Sequence, residues 1–311
     1  MRRVDFLITA IRRLTENETV SSTNDISDDE FLQYINDGQD RLQSLLGATK
    51  NVSKIFTAEE TVSLVQGQES YSIPDRVFMN KAIDLVEFSP TGLQTDYVIM
   101  RKVQPFNRDT NTTTYPDGYY RHSNKIYLVP IPSVSQGTLR IKYERTLDDL
   151  DKRRGTIQSV AGLTATTFTS LVVGSDADET STPNLSSIDY ICIVDKDGNR
   201  KAYNIPVGSY TAATNTLTPA AGFTFEKSTD TIVAGDYITF GKYTTTHSAL
   251  PDNAERYLIH YAAEAIVHRD SGMGFAEQSM RLREIEEDIM KSMYQSSEIA
   301  YIPQFNEGEW W

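Results

Sequence analysis

Ser27-Asp28-Asp29-Glu30-Phe31-Leu32-Gln33-Tyr34-Ile35-Asn36 is the stretch from which the fold of this chain can be read outward. Ser27 and Glu30 stand at the spacing of a capping box, in which a serine hydroxyl and a glutamate carboxylate satisfy backbone donors left unpaired by the first turn of a helix. Phe31, Ile35, Leu42, Leu45 and Leu46 follow at helical spacing, and Gly47 ends the run. The pattern predicts a helix with one buried face.

Upstream, Val4, Leu7, Ile8, Ile11 and Leu14 share one helical face, with Arg2, Arg3, Arg12 and Arg13 on its flanks and back. A short apolar run between basic flanks is also the layout of a signal peptide. Arg12 and Arg13 return, however, where a small-residue cleavage site is expected, so the reading is a surface amphipathic helix. From Lys54 the periodicity changes to strands, expected at 55 to 65, 69 to 73, 81 to 88, 95 to 101, 118 to 121, 125 to 129 and 138 to 144. No helix long enough for a parallel crossover separates them, so most are expected to be antiparallel.

The charged run Asp148 to Arg154 reads as a joint. Beyond it, 34 of the 93 residues from Gly155 to His247 are Ser, Thr or Gly, which argues for a loop-rich β unit, a barrel or a sandwich. Strands are expected at 156 to 160, 166 to 172, 188 to 194, 200 to 203, 215 to 218, 230 to 233 and 236 to 243, with Asp195-Lys196-Asp197-Gly198-Asn199 as a hairpin turn. Helix resumes at Pro251-Asp252, where Ala254, Tyr257, Leu258, Tyr261, Ala262, Ala265 and Ile266 form an apolar stripe, broken by Gly272 and Gly274. A last helix from about Ala276 to Tyr294 carries Leu282, Ile285, Ile289 and Met293. The expected class is α+β, divided into N-terminal helices at 1–50, an antiparallel β region at 51–150, an inserted β-rich domain at 151–247, C-terminal helices at 248–296 and an extended tail at 297–311.

Composition narrows the function. Of 311 residues, 39% are hydrophobic and 23% charged, which suits one large core or two modest ones. No run of about 18 apolar residues is present, so no membrane-spanning helix is expected. A single cysteine, Cys192, gives neither an intramolecular disulfide nor a metal cluster, and fits synthesis in a reducing compartment. The net charge of -13 disfavours tight binding of nucleic acid, which calls for an excess of Lys and Arg, but suits a wall past which DNA slides.

Candidate chemistry is sparse. His260, Glu264 and His268 lie four apart on one helical face and could hold a divalent cation, yet the Glu is not adjacent to the first His as in the zinc-protease pattern. The plainer expectation is a polar face turned to solvent or to a neighbouring subunit. Asp195 to Asn199 opens like a calcium loop but lacks the later ligands. Cys192 sits in an apolar run, where a thiol is usually inert. No cofactor and no enzymatic activity are expected. The tail places Tyr301, Phe305, Trp310 and Trp311 in 15 residues, a segment expected to dock into a partner or back onto its own subunit, since each tryptophan offers roughly 150 to 250 Å² of surface to bury.

Taken in order, Ser27 to Asn36, Tyr71-Ser72-Ile73-Pro74-Asp75, Lys125 to Pro130 with Leu139 to Tyr143, and Leu250-Pro251-Asp252 leading into Tyr257 to Ala265 resemble the head-to-tail adaptor proteins of tailed bacteriophages. The resemblance covers roughly 1 to 145 and 250 to 311. It implies a virion structural protein of the neck or tail region, made in the host cytoplasm. The N- and C-terminal helices would pack as a bundle cored by Phe31, Ile35, Leu42, Tyr257, Leu258, Tyr261, Ile266, Leu282, Ile285 and Ile289. Subunits would form a ring, typically a dodecamer, beneath a portal, with the tail residues Tyr301, Phe305, Trp310 and Trp311 reaching into the portal. A tail or second neck protein would bind the other side, and DNA would pass through the lumen. The 155 to 247 insert departs from small adaptors. It leaves open a second reading from another class, a β-rich recognition module mounted on a virion or cell-surface assembly.

Overall fold

The computed structural model describes residues 3–15, 26–47, 56–78, 83–105, 112–175, 183–225, 231–250, 252–270 and 275–297. These residues form a mixed α+β arrangement of four α-helices and eighteen short strands. By their contacts they divide into two units, one made of 45–147 and the other of the segments on either side.

The flanking unit opens with α1 (Val4–Leu14), which buries Val4, Leu7, Ile8 and Ile11 and places Arg12 and Arg13 in its last turn, where the helix dipole favours cations. In α2 (Asp28–Gly47), Ser27 Oγ accepts from the Glu30 backbone N–H at 3.2 Å, one half of the expected capping box.

The unit 45–147 holds β1 (Thr57–Ser63), β2 (Ser70–Ser72), β3 (Ile83–Ser89), β4 (Val98–Ile99), β5 (Arg101–Lys102), β6 (Thr112–Thr113), β7 (Gly118–His122), β8 (Lys125–Val129), β9 (Ile131–Pro132) and β10 (Thr138–Glu144). Two four-stranded sheets, ordered β1-β10-β3-β4 and β2-β8-β7-β5, contribute to one core, in which Val86, Phe88, Leu139 and Ile141 of the first meet Tyr71, Tyr119, Ile126 and Leu128 of the second. The strand expected over 95 to 101 is broken. A 3₁₀ turn covers Gln94–Asp96, and the remainder splits at Met100, because β4 pairs with β3 of one sheet and β5 with β7 of the other. The antiparallel expectation also fails locally: β5 with β7 and β6 with β9 are parallel. Pairs two residues long are reached by loops and need no helical crossover.

A charged cross-strand pair sits within the first sheet. Arg140 and Glu87 face each other directly, with Nε donating to Oε2 at 2.6 Å, while Lys142 approaches the same oxygen at 3.4 Å and the Arg140 guanidinium stacks 3.8 Å from the Tyr97 ring. Burial alone would raise the Glu87 carboxyl, but hydrogen bonds and charge from Arg140 and Lys142 hold it below the ordinary carboxylate range.

After 147 the chain returns to the flanking unit with β11 (Asp149–Leu150) and then closes a six-stranded barrel. The barrel strands are β12 (Gly155–Ala161), β13 (Ser170–Gly174), β14 (Tyr190–Val194), β15 (Arg200–Thr211), β16 (Thr216–Pro219) and β17 (Tyr237–Phe240), in the order β12-β13-β16-β15-β14-β17. Closure leaves no open edge. Ile157, Leu171, Val173, Ile191, Ile205 and Ile238 fill its interior, and Phe168, Leu185, Phe225 and Ile232 of the connecting segments join the same core. The strand expected to end at Tyr203 runs on to Thr211, bending at pairing irregularities opposite β14 and β16. No strand forms at 231–233, where Asp236 Oδ2 instead accepts from the Val233 N–H at 2.8 Å in a turn. The last strand, β18 (Thr244–Thr245), lies parallel to β11.

Two helices complete the flanking unit, α3 (Asp252–Asp270) and α4 (Phe275–Ser297). Helix α3 packs against both α1 and α4. It also passes close to α2, where a Cβ at Gly38 would lie 2.9 Å from Tyr261 Cδ1, so only glycine fits without a shift. Glycines 272 and 274 and the residues 298–311 lie outside the described residues.

The lowered Glu87 carboxyl sets a pH dependence. A group with a depressed folded-state pKa stabilises the fold above its unfolded value, and that contribution is lost as pH falls through the folded value. Glu87→Gln is therefore expected to be less stable than the wild type in urea at about pH 7, with the gap narrowing towards about pH 3. An unchanged gap would show that the pair does not carry this linkage.

Candidate functional site

The run Asp148 to Arg154 is where the helices of the flanking unit are fastened to its barrel. Asp148 is buried. Its carboxylate is paired with Arg200 and accepts from Tyr203 Oη at 3.1 Å, both on β15, while its carbonyl accepts from Gln39 Nε2 of α2 at 2.8 Å. Burial, with Asp148 beside it, pushes the Tyr203 hydroxyl far above its ordinary range. Asn36 of α2 reads the backbone of Leu150 in both directions, donating at 3.0 Å and accepting at 2.8 Å. Asp151, also buried, accepts from Arg154 Nε at 2.9 Å and from the Phe240 and Lys152 backbone amides at 2.8 and 2.9 Å. Burial raises its carboxyl even against that partner. Arg154 continues to Asp29 at 2.8 Å, and Arg153 reaches Asp5 of α1 at 3.1 Å while lying 5.2 Å from the Tyr237 ring. Through Asp148, Leu150, Asp151, Arg153 and Arg154 this run ties α1 and α2 to β15 and β17.

The residues singled out in the sequence fall in several places. His260 is buried, Glu264 is half-buried and accepts from Ser279 Oγ of α4, and His268 is exposed. The expected polar face turned outward is therefore corrected for two of the three. Helix α3 buries Glu255, His260 and Ala263 as well as its apolar stripe, because neighbouring helices cover more than one side of it. Among the described residues no group of three or more His, Cys, Asp or Glu is arranged to hold a metal ion. Asp195 Oδ1 accepts from the Asp197 and Asn199 amides, both at 2.8 Å, and Gly198 (φ +84°) packs against His247, so the turn satisfies its own carboxylate. Burial works against that charge, yet these donors hold the carboxyl below its ordinary range. Cys192 is fully buried, its Sγ is 3.4 Å from the Gly241 carbonyl, and burial raises its thiol.

Phe31, Ile35, Leu42, Tyr257, Leu258, Ile266, Leu282 and Ile289 are buried, whereas Tyr261 and Ile285 are half-buried. Tyr257 Oη donates to Glu286 of α4 at 3.0 Å, and Arg269 of α3 pairs with Glu30 of α2. Of the basic N-terminal residues, Arg12 is not simply solvated. It bonds Asp28 at 2.7 Å and stacks 4.7 Å from the Phe31 ring. Tyr301, Phe305, Trp310 and Trp311 lie outside the described residues.

The sequence reading missed one surface of the 45–147 unit. Leu93, Val98 and Ile99 are 60, 66 and 64% exposed along the β4 edge. Directly after them, β5 borders a concavity of about 540 Å³ lined by Lys102, Gln104, Pro105, Tyr120 and Arg121, among others. The available signal was Tyr119-Tyr120-Arg121-His122-Ser123-Asn124-Lys125, a basic and aromatic run hidden inside an ordinary hairpin. Exposed apolar side chains on the β4 edge of one sheet are thus followed within a few residues by charge on the β5 edge of the other.

Residues 4–156 match the family model described as SU10 adaptor protein. The match covers just under half of the chain and supports a phage adaptor, a structural class, at that coarse level. No curated protein matches the chain. The matched span starts at the first residue of α1, takes in α2, the whole 45–147 unit and the joint, and stops at the second residue of β12. The remainder of the barrel, α3 and α4 lie beyond it.

The joint makes a sharp contrast testable. Asp151→Ala leaves two backbone amides without their acceptor and half-buried Arg154 with only Asp29 of its two carboxylates, and is expected to cost about 3 kcal/mol in urea unfolding. Asp149→Ala, exposed in the same run, is expected to stay within about 0.5 kcal/mol of the wild type. Equal losses would remove the special role assigned to Asp151.

Proposed function

We propose that this chain is a virion structural adaptor whose copies close into a ring, which joins a portal to the tail and lets DNA pass without gripping it. The observation that carries this reading is the adaptor match over 4–156, which takes in both sheets, two helices and the joint as one continuous span. In this reading α1 to α4 act as one bundle, supported by the Gly38–Tyr261 approach, the Tyr257–Glu286 bond and the Glu30–Arg269 pair. The ring is a dodecamer at the neck, as the resemblance implies, and Tyr301, Phe305, Trp310 and Trp311 dock into the portal. The net charge of -13 per copy suits a lumen from which DNA is repelled.

One observation favours a second reading for part of the chain. The closed barrel has its own apolar core, and all but its first two residues lie outside the adaptor match. It would then serve as a recognition module for a carbohydrate or host surface, held in place by the helices. Specific signals from the intact chain on a glycan array would support that reading, and a blank array would end it.

The adaptor reading is tested by removing residues 298–311. The truncated protein is expected to keep the wild-type circular dichroism and melting temperature but to lose capture by purified portal. Retained capture would overturn the docking role of the four aromatic residues.

A further inference from the structure

The start of α1 is tied to the chain that leaves the barrel. Arg3, extended just before the helix, forms an antiparallel bridge with His247, and the Val4 N–H donates to the Thr246 carbonyl at 3.0 Å. Thr246 and His247 directly follow β18, so this tie joins the first turn of α1 to the barrel exit. A buried imidazole sits at its centre. His247 is 6% exposed, its Nδ1 lies 2.9 Å from Thr246 Oγ1, and its ring closes on Gly198 so tightly that a Cβ there would meet Cγ at 2.5 Å.

The seat suits a neutral imidazole and not an imidazolium. Residues directly opposite across a bridge project to the same face, where like charges repel, and Arg3 is the residue opposite His247. The positive end of the α1 dipole meets the same spot. Both carboxylates within reach are already committed. Asp5 serves Arg3 at 3.4 Å and Arg153 at 3.1 Å, while Asp195 accepts from the Asp197 and Asn199 amides and from the Asn199 side chain. Burial first, then charge on Arg3 and at the amino terminus, push the imidazole below its ordinary value of 6.5, and Asp195 and Asp5 offset this only in part.

A base whose folded value is depressed costs the fold nothing while it is neutral. The contribution of the seat is therefore complete above about pH 6.5 and is lost as pH falls from there through the folded value. The loss falls on the contact that opens most readily to let water reach the ring. On one side stands the Gly198 turn, in which the Asn199 side chain and the two amides hold the Asp195 carboxyl below its ordinary range against burial, so the turn stays formed in mild acid. On the other side stands a single bridge and one backbone hydrogen bond.

We propose that His247 is a proton-operated latch, whose protonation in mild acid parts the Arg3–His247 bridge and frees the first turn of α1 from the barrel exit while the barrel stays folded. Leu7, Ile8 and Ile11 keep the remainder of the helix packed. Opening presents the Val4 amide and the Thr246 carbonyl, so acidity changes which backbone groups this end of the chain offers. The latch is independent of the ring reading.

The test is hydrogen exchange with mass spectrometry on the intact chain, over peptides from α1 and from β15, at about pH 7.5 and about pH 5 with intrinsic rates corrected. In the wild type, protection of the first turn of α1 is expected to drop about fivefold between the two, with β15 unchanged. His247→Gln, which cannot take the proton, is expected to show no such drop whatever its overall stability, and Arg3→Gln a smaller one. His260→Gln, at another buried histidine on the helix packed against α1, is expected to leave the drop intact. Equal protection at both pH values in the wild type, a drop that persists in His247→Gln, one abolished by His260→Gln, or one shared equally by β15 would each overturn the latch. Should His247→Gln fail to fold, Arg3→Gln decides, since a drop of full size there overturns it as well.

Discussion

Two buried carboxylates, Asp148 and Asp151, hold the flanking unit together. A charge taken out of water is tolerated only with a full set of donors, which Asp148 finds on β15 and Asp151 on the joint and β17. Arg200 and Tyr203 come from β15, the Phe240 amide from β17, and Arg154 from the joint itself, continuing to Asp29 on α2. Both carboxylates are satisfied only when joint and barrel are placed together, and Gln39, Asn36 and Asp29 fasten α2 to the same joint through the Asp148 carbonyl, the Leu150 backbone and Arg154. Apolar burial would tolerate some sliding between these elements. A carboxylate with fixed donors does not, and this turns a seven-residue connection into a rigid mount.

The same logic explains why α3 carries polar groups inward. Glu264 and Tyr257 each find a partner on α4, and Gly38 gives the Tyr261 ring room against α2. The helices of this unit are thus specified by directional contacts as well as by apolar stripes. In the 45–147 unit the equivalent device is the Glu87–Arg140 pair, set by direct cross-strand register.

Much of this architecture was legible from local pattern. The Ser27 cap, the Val4 to Ile11 face, the Asp195 to Asn199 turn and most strands of the 45–147 unit follow from spacing and turn chemistry, which act over a few residues. What escaped depends on partners distant in sequence. Nothing near His260 shows that other helices will cover its face, nothing near Tyr203 shows that β15 will continue past Pro206, and the split at Met100 reflects a choice between two sheets. The basic concavity was missed for the same reason, since Lys102 and Arg121 are brought together by a parallel pair that no local signal announces. The tail aromatics remain a proposal drawn from composition and resemblance.

The barrel enters and leaves the unit at neighbouring points. Gly155 of β12 pairs with Ile238 of β17, and β11 just before the barrel lies beside β18 just after it. An excursion of more than ninety residues therefore departs and returns through one narrow doorway, so its length and content are geometrically uncoupled from the spacing of the helices that frame it. Loops at the far side of the barrel can be rewritten, lengthened or exchanged without altering the distance between Arg154 and His247. Such a layout lets selection vary what the barrel presents while the joint, and everything assembled around it, stays under separate and stricter control.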